Sequence, residues 1–161
     1  MDHERLMPMA RLMKVIVISG ACSNVGKTTL AGELQRLLEG SEVVKIGHGQ
    51  RKPEMANHLY ALGTSFRTIE QNHSQARWLV IESNSILREV QPDLLIYLEG
   101  KHPKPSAERA KRRADIISGR LVRDDVEALA ARLEIGVDMM LAIVRLTGRD
   151  GDPSAADQDC G

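Results

Sequence analysis

Apolar positions along this chain come in short, nearly unbroken runs that alternate with stretches of helical period. Met13 to Ile18 is β-branched and apolar almost throughout, the pattern of a strand covered on both faces. From Lys27 to Glu39, Leu30, Leu34, Leu37 and Leu38 recur at spacings of three and four, which predicts an amphipathic helix stopped by Gly40. A second strand, Glu42 to Ile46, runs into a polar loop, Gly47 to Pro53. A short helix is expected from about Glu54 to Leu62, closed by Gly63, and another within Thr64 to Ala76. Strand three is Trp78 to Ile81, with Glu82-Ser83-Asn84-Ser85 beyond it; Ile86 to Val90 reads as a short helix and Leu94 to Leu98 as strand four. Pro103 and Pro105 keep Lys101 to Pro105 out of a helix. Ser106 is the expected cap of a helix over Ala107 to Arg113, and Ala114 to Ile117 is strand five. Two helices follow, Asp125 to Glu134 with Asp124 as its cap, and Val137 to Leu146.

Strands alternating with helices predict an α/β fold: three layers around a mostly parallel five-stranded sheet, with helices added at the C-terminal end. Residues 1–148 are expected to form one domain, including a helical pair at about 123–147, and 149–161 a disordered tail poor in apolar residues. Sheets of this kind bind ligands beyond the carboxyl ends of their strands. There the sequence puts a glycine loop after strand one, then His48, Glu82-Ser83-Asn84 and Glu99-Gly100-Lys101.

Composition narrows the classes. Hydrophobic residues make up 42% of 161, which fills one core, but aromatic residues are only 2%. The core is therefore aliphatic, and a stacking platform for single-stranded nucleic acid is excluded for want of rings. Formal net charge is zero, so no global basic field favours nucleic acid or an anionic membrane. Cys22 and Cys160 form no metal-type pair, and His3, His58, His73 and His102 show no ligand spacing. Residues 1–12 are too polar for a secretory signal, and no run of about 20 apolar residues suggests a membrane span. A cytoplasmic protein is the expectation.

The loop after strand one carries the chemistry. Gly20-Ala21-Cys22-Ser23-Asn24-Val25-Gly26-Lys27-Thr28 ends on the Gly-Lys-Thr of a phosphate loop, with its leading glycine displaced by one position. A turn at a strand-to-helix junction aims consecutive backbone N–H groups at an anion, and the helix N-terminus adds unsatisfied donors and its positive dipole end. In that role Ser23, Asn24, Val25, Gly26, Lys27, Thr28 and Thr29 line the phosphates. Lys27 reaches the β and γ oxygens, Thr28 offers its hydroxyl to Mg²⁺, and Thr29 approaches the α-phosphate. Glu82, an acidic residue ending strand three, is the partner expected to orient Mg²⁺. Lys27 and Glu82 are thus the candidate catalytic pair, and Thr28 and Glu82 the candidate metal ligands.

Ser19 to Leu30 resembles the loop of a group of phosphate-loop proteins that includes dethiobiotin synthetase, the cobyrinic and cobyric acid synthases, and the molybdopterin-guanine dinucleotide biosynthesis adaptor protein B, among which the displaced glycine recurs. In size the chain looks like the adaptor family, and Lys45-Ile46-Gly47-His48 resembles its Lys-x-x-His element after the second strand. The resemblance covers the first half of the chain. It implies a P-loop NTPase, binding GTP or ATP with Mg²⁺, that assists a molybdenum-cofactor maturation enzyme. Cys22 stands where related ATPases carry a signature lysine, so lysine chemistry across a dimer is not implied, and no Asn-Lys-x-Asp motif reads guanine.

Lys45, His48, Asn84 and Lys101 are the candidate second-substrate contacts, since each lies at or beyond a strand end. Ser83 and Asn84 serve equally as turn chemistry. The basic run from Lys101 to Arg123 reads first as a solvated face and second as a phosphate-holding patch. The Met139-Met140 helix is too apolar for a recognition helix and suits packing on the sheet or a second copy of the chain in a homodimer. Two alternatives stay open beside the hydrolase: a small-molecule kinase or ATP-dependent ligase of the dethiobiotin synthetase type, and a non-catalytic nucleotide-dependent adaptor.

Overall fold

A computed structural model describes residues 13–22, 25–47 and 58–148. In chain order the elements are β1 (Lys14–Gly20), α1 (Lys27–Leu37), β2 (Ser41–Ile46), β3 (His58–Tyr60), α2 (Phe66–Asn72), β4 (Trp78–Glu82), a 3₁₀ turn (Ser85–Arg88), β5 (Leu94–Leu98), α3 (Pro105–Arg113), β6 (Ile116–Ile117), β7 (Arg120–Leu121), α4 (Val126–Leu133) and α5 (Val137–Thr147). The sheet runs β3-β2-β4-β1-β5-β6-β7, parallel at every pairing except β6 with β7. The expected five strands are therefore seven among the described residues. Both additions are short edge pieces, one at either margin.

Because side chains alternate along a strand, the central strands feed two cores. Ile16, Ile18, Val80 and Ile96 pack with Leu30, Ala31 and Leu34 of α1, Leu129 and Leu133 of α4, and Met140 and Ile143 of α5. Val15, Val17, Ile81 and Leu95 pack on the other face with Ile69 of α2, Ile86 and Leu87 of the 3₁₀ turn, and Ala107 and Ala110 of α3. The Met-rich helix thus packs on the sheet through Met140, fully buried, with Met139 partly buried beside it.

Several local expectations changed. Residues 58–60 are a strand, not the end of a helix, because they pair in parallel with Val44 to Ile46 of β2; the rest of that expected helix lies outside the described residues. A buried histidine pins the strand: His73 contacts Glu42 Oε2 through Nδ1 at 2.9 Å and the Tyr60 hydroxyl through Nε2 at 3.0 Å. Helix α3 begins earlier than expected, with Lys104 as N-cap and Pro105 in the first turn, where a missing N–H costs nothing. Asp125, not Asp124, caps α4, accepting from the Ala128 N–H at 2.8 Å. Asp124 instead pairs with Arg132. Beyond β6 the chain doubles back as β7, through Ser118 and Gly119, both with positive φ (39° and 82°), as a tight hairpin requires.

Candidate phosphate and metal site

The chain leaves β1 into α1 on one face of the sheet, and leaves neighbouring β4 into the 3₁₀ turn on the opposite face. Adjacent strands whose continuations part in this way open a crevice at their carboxyl ends. Thr28 of α1 and Glu82 of β4 meet in it.

The loop is shaped by glycine where geometry demands it. Gly26 is the N-cap of α1 at φ 100°, a left-handed conformation that L side chains rarely adopt. Glycine brings no side chain to cap this helix end, so among the described residues its first N–H groups are left without a capping side chain. Val25 is held between two further glycines. A Cβ on Gly20 would lie 2.7 Å from Val25 Cγ2, and one on Gly100 would lie 2.6 Å from Val25 Cγ1. Backbone bonds tie the loop to β5 and to the start of α3: Ala21 N–H donates to Leu98 O at 3.0 Å, and Lys104 N–H donates to Ala21 O at 2.9 Å.

Thr28 Oγ1 donates to Glu82 Oε1 at 2.9 Å across 54 positions of sequence. Glu82 is buried, and its second oxygen, Oε2, has no hydrogen-bond partner among the described residues. A buried carboxylate oxygen without a donor is costly, and a hydroxyl beside a carboxylate is oxygen chemistry that suits a hard divalent cation. The donor set would suit Mg²⁺, with Thr28 and Glu82 as the residues that would hold it. No group of three or more His, Cys, Asp or Glu among the described residues offers a second metal site.

Lys45 and Lys27 couple to this carboxylate, and Lys104 stands near Lys27. Lys45 Nζ lies 3.7 Å from Glu82 Oε1. Lys27 has its proton affinity lowered, first by burial and then by the fields of Lys45 and Lys104, against the opposing pull of Glu82. Lys45 and Lys104 act on Lys27 against the single opposing carboxylate of Glu82, a local excess of positive charge and a place for an anion.

Asn84, a candidate substrate contact, points back at the loop: its Oδ1 accepts from Gly20 N–H at 3.1 Å and its Nδ2 donates to Gly20 O at 3.2 Å. It fixes where β1 hands over to the loop. Ser83 Oγ accepts from Ile86 N–H at 3.2 Å, which is turn chemistry. Lys101 is exposed in the bend after β5. Ser23, Asn24 and His48 lie outside the described residues. Lys104, absent from the expected set, is brought to the site by its backbone bond to Ala21. Its position between two prolines marked a loop in the sequence but not the place to which that loop returns. The basic run is mostly exposed, and part of it is engaged within the fold: Lys111 and Arg120 both meet Glu99, at 3.4 and 3.3 Å, and Arg113 donates to Leu87 O at 2.8 Å.

No protein-family model and no curated protein matches the chain. Among solved structures, the hydrogenase maturation factor HypB from Archaeoglobus fulgidus is similar over 85% of this chain and 77% of that one, at 18% identity and a TM-score of 0.39. A likeness of this extent carries nothing about function. No helix among the described residues is long and apolar enough to cross a membrane.

Proposed function

We propose that the chain binds a nucleoside triphosphate, GTP or ATP, with Mg²⁺ at the β1–α1 junction and hydrolyses it slowly. The observation that carries this reading is the Thr28–Glu82 bond at 2.9 Å, set beneath an uncapped helix N-terminus with Lys27 in its first turn. Bound Mg²⁺ would draw charge from the phosphate oxygens. The chain's own part is to seat the polyphosphate on loop amides, to place the Lys27 ammonium against the charge that develops on the transferred group, and to hold the metal with Thr28 and Glu82. No side chain described at the site is an evident general base. A slow intrinsic rate is therefore expected, with acceleration by a partner. That partner, on the resemblance of Ser19 to Leu30 and Lys45 to His48, is a molybdenum-cofactor maturation enzyme.

Lys45 and Lys104 favour a second reading, transfer of the phosphoryl group to an anionic small molecule, since they add positive charge beyond what Lys27 supplies. Calorimetric titration with ATP and GTP, with and without Mg²⁺, tests nucleotide binding. Lys27→Ala is expected to abolish Mg²⁺-nucleotide affinity, and wild-type affinity in that variant would refute the site. Turnover that demands a small acid or alcohol would select the kinase or ligase reading over the hydrolase.

A further inference from the structure

We infer that Lys45 is the resident counter-ion of the metal site: its ammonium stands in for the divalent cation against Glu82, and metal entry displaces it toward the bound anion. The inference rests on the nucleotide reading above and adds a competition to it.

Glu82 is the starting point. Its side chain is 2% exposed, and a carboxylate so placed stays ionised only beside compensating charge. Among the described residues its one ion pair is with Lys45, and its one hydrogen bond comes from Thr28. The pair is fixed by the sheet, because Lys45 and Glu82 are register partners between β2 and β4 and so project from the same face. A one-residue slip of β2 would send Lys45 to the opposite face.

The contact is also built to be left. At 3.7 Å it is longer than a direct N–H···O hydrogen bond, which closes at about 2.7–3.2 Å. The Lys45 side chain is 36% exposed, so its ammonium can move into water without first unpacking the core. Mg²⁺ takes oxygen ligands at about 2.0–2.1 Å, and an ammonium beside the same carboxylate repels it. The Thr28 hydroxyl and the Glu82 carboxylate are what it would use, and Lys45 faces that same carboxylate. Metal and ammonium therefore compete for one carboxylate. The displaced ammonium remains near Lys27, whose site already feels its field, and there it joins the charge that holds the polyphosphate.

The consequence is a pair of effects of opposite sign. Removing the Lys45 charge should strengthen metal binding while weakening nucleotide binding in the absence of metal. A residue with a merely structural role would move both in the same direction. The 161-residue chain and its Lys45→Met and Lys45→Arg variants are titrated with Mn²⁺ in the presence of saturating ADP or GDP, with free Mn²⁺ read by electron paramagnetic resonance. Nucleotide affinity in EDTA is measured separately. Lys45→Met should bind Mn²⁺ roughly fivefold more tightly than wild type, on the scale of one modest ion pair, and lose affinity for metal-free nucleotide; Lys45→Arg should stay near wild type in both. Unchanged or weaker Mn²⁺ binding in Lys45→Met overturns the inference.

Thermal unfolding without metal or nucleotide supplies a readout that does not depend on the nucleotide reading. Lys45→Met should lower the midpoint by stranding Glu82, and adding Glu82→Gln should restore it. Absence of that rescue also overturns the inference. Failure of wild type to bind either nucleotide refutes the nucleotide reading while leaving the rescue experiment to decide on the ion pair.

Discussion

Lys27 is charged, half-buried and close to two other lysines, and its proton affinity falls below the ordinary lysine value, with burial the largest cause. The folded chain thus holds this proton less tightly than the unfolded chain does. The cost of keeping the charge is fully present below the folded pKa, and it fades as pH rises from that value to 10.5, the ordinary value of the unfolded chain. Lys27→Met is accordingly expected to melt higher than wild type at pH 7 in the absence of nucleotide, with the difference closing toward pH 10.5. Melting curves across that range check it, and a lower melting point at pH 7 would mean that Glu82 anchors Lys27 more than burial strains it. Stability gained at the cost of binding is what a preformed ligand site predicts. At this scale Lys27, Thr28 and Glu82 were legible in the sequence, because strand ends and the Gly-Lys-Thr spacing announce where they go. The turn of Asn84 back onto Gly20 was not, since no spacing says which way an amide points.

Between residue and domain, the loop is an element clamped by its neighbours. The ends of β1 and β5 are aligned in register, Gly20 beside Leu98, and Gly100, just past β5, admits Val25 where any Cβ would collide. Gly100→Ala places a methyl 2.6 Å from Val25 Cγ1 and 3.2 Å from Cys22 Sγ. Overpacking of this kind costs about 1–3 kcal/mol. Because the two nearest atoms the methyl meets, Val25 Cγ1 and Cys22 Sγ, belong to the loop, the cost should fall on its geometry: nucleotide affinity drops by roughly tenfold while the far-ultraviolet circular dichroism spectrum is kept. Unaltered affinity in calorimetry would show that Val25 moves aside without disturbing the amides. Legibility here followed locality. β1, β2, β4 and β5 announce themselves as apolar runs, whereas His58 to Tyr60 is three residues long and becomes a strand only by pairing with β2. Nothing within the segment distinguishes that outcome from a helix end.

The order of the strands is a property of the whole chain, and the sequence does not carry it. The alternation of strands and helices implies a parallel sheet, but not that β4 returns between β2 and β1 and so sets Glu82 beside both Ile18 and Lys45. That insertion assembles the site, and it also decides how binding should spread. β1 is paired on both sides and buried, while β3 and β7 are short margins with one partner each. β1 and its loop connect outward through Ser83 N–H to Ile18 O at 3.0 Å, Ala21 N–H to Leu98 O and Lys104 N–H to Ala21 O. A ligand at one hundred times its dissociation constant stabilises the bound fold by about 2.7 kcal/mol, and those bonds are the routes along which local protection should grow. In hydrogen exchange with and without saturating Mg²⁺-nucleotide, slowing is expected at Ala21, at the first turn of α1, at Ser83 and at Lys104, with β3 and β7 unchanged. Protection confined to α1 would show that the loop's ties to β4 and β5 transmit nothing. Uniform protection that includes β3 and β7 would show that the margins unfold only with the whole domain.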